Sequence, residues 1–352
     1  MNGGIAHPGE RLLVADLAAT SPAWTLRPEH AAAINGAVPP GWHVHVVSAP
    51  TVSDGDGGAE PSAEVREAIR DAEVYFGFGI SRPLFLETRR LRWVHSAAAG
   101  VGSALFDEMR ASDVVLTNSA GVHAVPIAEQ VLGGMLHFLR GLDLAIERQR
   151  EGVWDREPFV GSGSRMRELC GSRVLVLGAG GLGSEIAGRC AAFGAHCTGV
   201  RRRPELGAPP GFERVLGPDG IDAELATTDI VVIAAPATPR TRMLMSRARL
   251  SMLPSHAIVV NVARGSLLDE DALADLLEAG ALRGAVLDVT AVEPLAPESR
   301  LWQLRSVLLT PHVSAVSPTG FWTRELALFV DNWRRYVAGE PLRNVVDKSE
   351  GY

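Results

Sequence analysis

The stretch Gly178-Ala179-Gly180-Gly181-Leu182-Gly183 constrains this chain more than any other. It reads G-x-G-x-x-G, follows the apolar run Val174-Leu175-Val176-Leu177 and opens an Ala-rich helical pattern. Between a strand and a helix, the first glycine permits a tight turn, the second admits a pyrophosphate to the backbone, and the third lets helix and sheet pack closely. A phosphate would then rest on a helix N-terminus, where unpaired N–H groups favour negative charge. The stretch predicts dinucleotide binding through Gly178, Gly180, Gly181, Leu182 and Gly183. The next strand, His196-Cys197-Thr198-Gly199-Val200, ends at Arg201-Arg202-Arg203, where an NAD site places an acidic residue for the ribose hydroxyls. A guanidinium matches a 2′-phosphate bidentately, so Arg201 and Arg202 favour NADP over NAD. The alternative is a solvated surface turn.

Short apolar runs alternate with helical patterns on both sides of this fingerprint. Before it lie Leu12-Leu13-Val14, Val44-His45-Val46-Val47, Val74-Tyr75-Phe76, Trp93-Val94 and Val114-Val115-Leu116. After it lie Ile230 to Ile233, Ala257 to Val260, Ala285 to Leu287 and Val307 to Leu309. This alternation predicts an α/β protein of two doubly wound parallel sheets, the later strands reading as buried on both faces. Pro39-Pro40-Gly41 and the polar stretch Ser53 to Gly58 read as surface loops. A long helical pattern with Pro126 near its first turn links the two units, and a final helix is expected over roughly Gly320 to Val337. Periodicity leaves open whether that last helix closes the second unit or returns to the first.

The chain's 352 residues suffice for two domains with separate cores. A formal charge of -7 provides no field for nucleic acid or anionic membranes, so neither is an expected partner. Cys170, Cys190 and Cys197 show no CxxC or His-paired spacing, which argues against a metal site or disulfide framework. All three are expected to be buried. Met1 to Glu10 lacks a signal-like apolar core and no run approaches a membrane span, so a cytoplasmic location is expected.

Three residues stand on loops after strands of the second unit, where a doubly wound sheet places its site. Arg264 follows a buried strand directly and could hold a carboxylate through two parallel hydrogen bonds. Glu293 precedes Pro294, beyond the strand ending near Asp288, and His312 follows Thr310-Pro311. Each has a structural alternative: Arg264 as a helix cap or surface ion pair, Glu293 as a loop charge, His312 as a satisfied structural histidine. Their joint placement favours a catalytic set.

At these residues the chain resembles the D-2-hydroxyacid dehydrogenases over nearly its whole length. The resemblance rests on Val262-Ala263-Arg264-Gly265, Leu287-Asp288-Val289, Glu293-Pro294-Leu295 and Thr310-Pro311-His312. Trp93-Val94-His95-Ser96 leading into Ala99-Gly100-Val101, Ala128-Glu129 and the ending Gly339 to Val346 extend it. It is most similar to the glyoxylate and hydroxypyruvate reductase branch. Two departures weaken transfer of substrate identity: Gly102-Ser103 stands where many relatives carry an Asp, and Thr290-Ala291 replaces an aromatic-acidic pair.

The resemblance implies a split architecture of two Rossmann- or flavodoxin-like domains. Residues 1–120 and 316–352 would form the substrate domain, and 121–315 the inserted NAD(P)-binding domain, with the last helix returning to the first unit and the cleft between the domains. In the implied reduction of a small 2-oxoacid, Arg264 clamps the carboxylate, with backbone N–H groups of Ala99 and Gly100 on its other side. His312 donates a proton to the carbonyl oxygen and also borders the cofactor, while Glu293 hydrogen-bonds the other ring nitrogen. A carboxylate neighbour favours imidazolium, so reduction is expected to fade as pH rises. Asp288 matches the residue holding the nicotinamide amide, while Pro236, Thr241 and Val262 match cofactor-lining positions. A homodimer is implied, packed through roughly Gly121 to Ser164. Two other functions share the fold: a dinucleotide-sensing protein of the corepressor type, and a formate or phosphite dehydrogenase. Formate chemistry needs no proton transfer to a carbonyl, so Glu293 beside His312 disfavours it.

Overall fold

In the computed structural model, residues 11–19, 21–49, 52–53 and 59–351 are described. The chain divides into two compact units, one of residues 1–123 and 316–352, the other of residues 124–315. The expected leaderless start, Met1 to Glu10, lies outside the described residues, as do residues 54–58 of the expected Ser53 to Gly58 loop. Ser53 itself belongs to a two-residue strand, Val52–Ser53, paired antiparallel with Ala59–Glu60.

The first unit holds β1 (Arg11–Asp16), β2 (Trp42–Val46), β3 (Val74–Gly77), β4 (Trp93–Ser96) and β5 (Val115–Asn118). They form one parallel sheet in the order β2-β1-β3-β4-β5. The order reverses at β1 and β3, which is the flavodoxin-like arrangement. Helix Phe321–Ala338 belongs to this unit, because its stripe Phe321, Trp322, Phe329 and Trp333 is buried among Leu13, Val74, Phe76 and Trp93. Removing each such aromatic side chain from water stabilises the unit by about 2 kcal/mol. The helix stops at Gly339, whose φ of 71° supplies the left-handed residue that commonly ends helices. Beyond it the tail pairs with β5, Val346 N–H donating to the Leu116 carbonyl at 2.8 Å. Periodicity could not choose a home for this helix, since an apolar stripe is the same whichever sheet it covers.

The second unit holds β6 (Arg173–Leu177), β7 (His196–Val200), β8 (Arg214–Leu216), β9 (Ile230–Ile233), β10 (Ile258–Asn261), β11 (Gly284–Leu287) and β12 (Val307–Leu309). All pairings are parallel, in the order β8-β7-β6-β9-β10-β11-β12. Strands β9 to β11 are fully buried, which explains their unbroken apolar sequences. The edge strand β8 was not anticipated, because Arg214-Val215-Leu216 is too short to show a period. Helix Ala124–Leu139 covers one face, burying Val131, Met135 and Phe138 against Val174, Val232 and Val260. Cys190 and Cys197 are buried as expected, but Cys170 is exposed. It sits in the turn leading to β6, against Gly194, where the chain runs along the surface. Among the described residues no helix is long and apolar enough to cross a membrane. No group of three His, Cys, Asp or Glu among them could hold a metal ion.

Candidate active site

Register places the candidate residues along one edge of the second sheet. Leu177, Ile233, Asn261, Leu287 and Leu309 form a row across β6, β9, β10, β11 and β12. The residues that follow them, Gly178, Ala234, Val262, Asp288 and Thr310, therefore leave the sheet side by side at its carboxyl end. Open α/β sheets bind ligands there.

At the end of β6 the glycines divide the work as their spacing demands. Gly178 has φ +117°, and a Cβ on it would come within 2.5 Å of the Ala234 carbonyl oxygen, so only glycine fits. Gly183 opens the packing of helix Gly181–Ala192 on the sheet, since its Cβ would lie 2.0 Å from the Gly178 oxygen. Gly180 differs: nothing lies within 4 Å of where its Cβ would be. That open space directly before a helix of 12 residues fits a pyrophosphate against the backbone. Gly181 and Leu182 form the first turn of that helix.

Beside this turn, the loop after β9 is closed on itself by Thr241, whose hydroxyl donates to the Pro236 oxygen at 2.7 Å and accepts from the Thr238 N–H at 2.8 Å. Val262 is buried and donates to the Ile233 oxygen. At the end of β7, the Arg201 N–H bonds the Leu216 oxygen at 2.9 Å, and its guanidinium reaches the Gly207 oxygen at 3.3 Å. Arg201 is half-buried and Arg202 exposed.

Arg264, Glu293 and His312 lie on the loops after the next three strands, β10, β11 and β12. Asn261 shapes the Arg264 loop, accepting from the Ala263 N–H at 3.1 Å and donating to the Arg264 oxygen at 3.0 Å. The Arg264 side chain donates to the Ala263 oxygen at 2.7 Å. His312 Nδ1 lies 2.8 Å from Glu293 Oε2, and Glu293 Oε1 accepts the Thr290 N–H at 3.0 Å. An ionised carboxylate only accepts, so Nδ1 carries the hydrogen of this bond and Nε2 is the ring nitrogen left for chemistry. Both side chains are about one-third exposed.

The backbone of His312 is held at φ +54°, a conformation costly for a residue with a Cβ. Asp288 supports it. The Asp288 carbonyl accepts the His312 N–H at 2.8 Å, and its buried carboxylate accepts the Thr310 hydroxyl at 2.6 Å, the Val313 N–H at 3.0 Å and both the N–H and hydroxyl of Ser314. The turn that carries His312 is thus bound to the carboxylate of Asp288, the residue that the resemblance places at the nicotinamide amide. Gln130 adds a bond to the Thr310 hydroxyl at 3.1 Å. Thr310, Ser314 and Gln130 carried no sign of these roles in the sequence, because each acts on a residue of another element, and Asn261 showed none because its side chain works on the backbone of its own loop.

Ala99 and Gly100 follow β4 in the first unit, where Asn118 Nδ2 donates to the Ala99 oxygen at 2.8 Å. Ala99 is exposed.

Comparison with known proteins places the chain in a family. Residues 132–314, just over half of the chain, match the D-isomer specific 2-hydroxyacid dehydrogenase, NAD binding domain family. The chain belongs to the D-isomer specific 2-hydroxyacid dehydrogenases. Among solved structures, that of a D-isomer specific 2-hydroxyacid dehydrogenase from Xanthobacter autotrophicus Py2 in complex with NADPH and MES is 30% identical with a TM-score of 0.76, covering 98% of this chain and 100% of that one. An NADPH-dependent glyoxylate/hydroxypyruvate reductase from Sinorhizobium meliloti, in complex with NADP and sulfate, is 27% identical with a TM-score of 0.76, covering 97% and 100%. The D-3-phosphoglycerate dehydrogenase of Methanocaldococcus jannaschii is 29% identical over 81% of this chain and 53% of its own length. The match thus spans about half the length of that relative.

Proposed function

We propose that this family member is an NADPH-preferring reductase of small 2-oxoacids, of the glyoxylate or hydroxypyruvate kind. The observation that carries the reading is the 2.8 Å bond between His312 Nδ1 and Glu293, on the sheet edge that also carries Arg264. A bound nicotinamide would supply hydride to the carbonyl carbon. Arg264 holds the substrate carboxylate by two parallel hydrogen bonds, with the Ala99 and Gly100 N–H groups as further donors. His312, as imidazolium, gives its Nε2 proton to the carbonyl oxygen, and Glu293 keeps the ring oriented. The glycine turn and helix Gly181–Ala192 hold the pyrophosphate, with Pro236, Thr241 and Val262 beside it. Two chains pairing through residues 121–164 would act as a dimer in the cytoplasm.

A spectrophotometric screen of glyoxylate, hydroxypyruvate, pyruvate and phenylpyruvate with NADPH and NADH separately tests the reading. Consumption of neither cofactor, with cofactor still bound, would refute it and favour a dinucleotide sensor. The relatives named D-3-phosphoglycerate dehydrogenase support a second substrate class, so 3-phosphoglycerate with the oxidised cofactors belongs in the same screen. For cofactor choice, Arg201→Asp is expected to lower the NADPH over NADH preference in kcat/KM by at least about tenfold, through loss of a charge-assisted bond and gain of a repulsive charge. An unchanged preference removes Arg201 from the 2′-phosphate site.

A further inference from the structure

Glu270, the first residue of helix Glu270–Glu278, reaches across to the loop that bears Glu293. Its Oε1 accepts the Ala291 N–H at 2.5 Å. The preceding N–H, of Thr290, is the one that Glu293 itself accepts. Two successive backbone donors of one turn are thus taken by two carboxylates. The same peptide is gripped from a second side: a Cβ on Gly265 would lie 2.0 Å from the Thr290 carbonyl carbon and 2.2 Å from the Ala291 nitrogen. Residues 265–270 directly follow Arg264, so one segment carries the clamp and clasps the loop of the acid-base pair. Glu270 is half-buried. Burial pushes its carboxyl up, the Ala291 N–H opposes this, and the negative charges of Asp271 on its own helix and Glu293 on the facing loop push it further up.

We infer that Glu270 is a positioning residue for the Glu293–His312 pair, fixing the Thr290-Ala291 turn and adding a second negative charge that keeps the imidazolium protonated further into the alkaline range. This rests on the acid role proposed for His312. A glutamine keeps an acceptor for Ala291 and removes the charge, whereas an alanine removes both, so the two variants separate the effects.

The test uses the full chain with NADPH and the best 2-oxoacid of the screen, following kcat from about pH 6 to about pH 9.5, across the range in which histidines titrate. In parallel, the His312 ring is titrated by NMR on histidine-labelled protein, assigned by comparison with His312→Ala. Glu270→Ala is expected to lower kcat about tenfold, as for a displaced catalytic group, and Glu270→Gln to recover most of that loss. In both variants the alkaline limb and the NMR midpoint should move about half a unit lower, the size expected for one charge acting through a solvent-rich site.

Thermal stability checks the fold. A carboxyl raised in the folded state takes up its proton more readily there than in the unfolded chain. Its charge therefore costs stability once pH passes the ordinary 4.5, and fully above the raised value. Glu270→Gln at neutral pH should melt no lower than the parent. A parental NMR midpoint in Glu270→Gln overturns the charge role, and parental kcat in Glu270→Ala overturns the clasp. The NMR titration needs no turnover, so a parent that reduces no 2-oxoacid refutes the reductase reading while the titration still decides whether Glu270 acts on His312.

Discussion

Replacing His312 with alanine is expected to lower kcat for 2-oxoacid reduction about a thousandfold while leaving NADPH affinity within a few-fold of the parent. General acid catalysis by a positioned side chain contributes about 10² to 10⁴ in rate. The geometry favours the upper part of that range, because His312 is oriented twice. Its ring is fixed by Glu293 at 2.8 Å, and its backbone, at φ +54°, is held by Asp288. Alanine keeps the backbone bonds to Asp288 and removes only the ring, so the glycine turn proposed for the pyrophosphate at the end of β6 is untouched. Steady-state kinetics with a parallel fluorescence titration of NADPH checks both halves. Turnover within about tenfold of the parent would show that another group or water protonates the oxygen, since loss of a general acid should exceed that.

The second large effect is expected at Gly183. A Cβ there would stand 2.0 Å from the Gly178 carbonyl oxygen and 3.3 Å from Val176 Cγ1. The near atom is backbone, in a turn that Gly178 and Ala179 pin by donating to the Val200 oxygen at 3.0 and 2.8 Å. It cannot swing aside as a side chain can. Gly183→Ala should therefore lift helix Gly181–Ala192 off the sheet or distort the turn. Either displaces the N–H groups proposed to hold the pyrophosphate. NADPH affinity is expected to fall at least about 100-fold, and the melting temperature by several degrees, as for an overpacked core site. Gly180→Ala is the matched comparison, since no protein atom opposes its Cβ. It should fold like the parent and lose only affinity. A Gly183→Ala protein with parental melting and NADPH binding would contradict the close packing assigned to this glycine.

The sheet edge was legible in the sequence wherever one residue carries its own reason. Gly178 and Gly183 sit where the apolar pattern changes from strand to helix, and the structure shows the two close approaches that exclude a side chain. Arg264, Glu293 and His312 could be placed because each follows a strand, and parallel strands in register deliver their ends to one edge. What stayed hidden depends on pairs of loops. Nothing in Arg264-Gly265 says that Gly265 bears on Thr290 and Ala291, and nothing in Asp269-Glu270 says that the carboxylate meets Ala291. The hydrogen bonds of Asp288 to Thr310, Val313 and Ser314 were hidden as well, since those residues come from the end of a neighbouring strand. The destination of the last helix was equally hidden, because its buried aromatics specify an apolar surface and not which sheet provides it.

That last helix has a consequence for how the molecule is made. The first unit's core takes Phe321, Trp322, Phe329 and Trp333 from the far end of the chain, and its fifth strand receives the tail near Val346. A ribosome emits residues 124–315 whole before any of these side chains exists. The inserted unit can thus finish folding before the unit whose strands precede it, so the usual order of domain completion, N-terminal before C-terminal, is inverted between the two. Until residues 321–346 have been made, the earlier sheet waits with the apolar face that this helix covers bare to solvent.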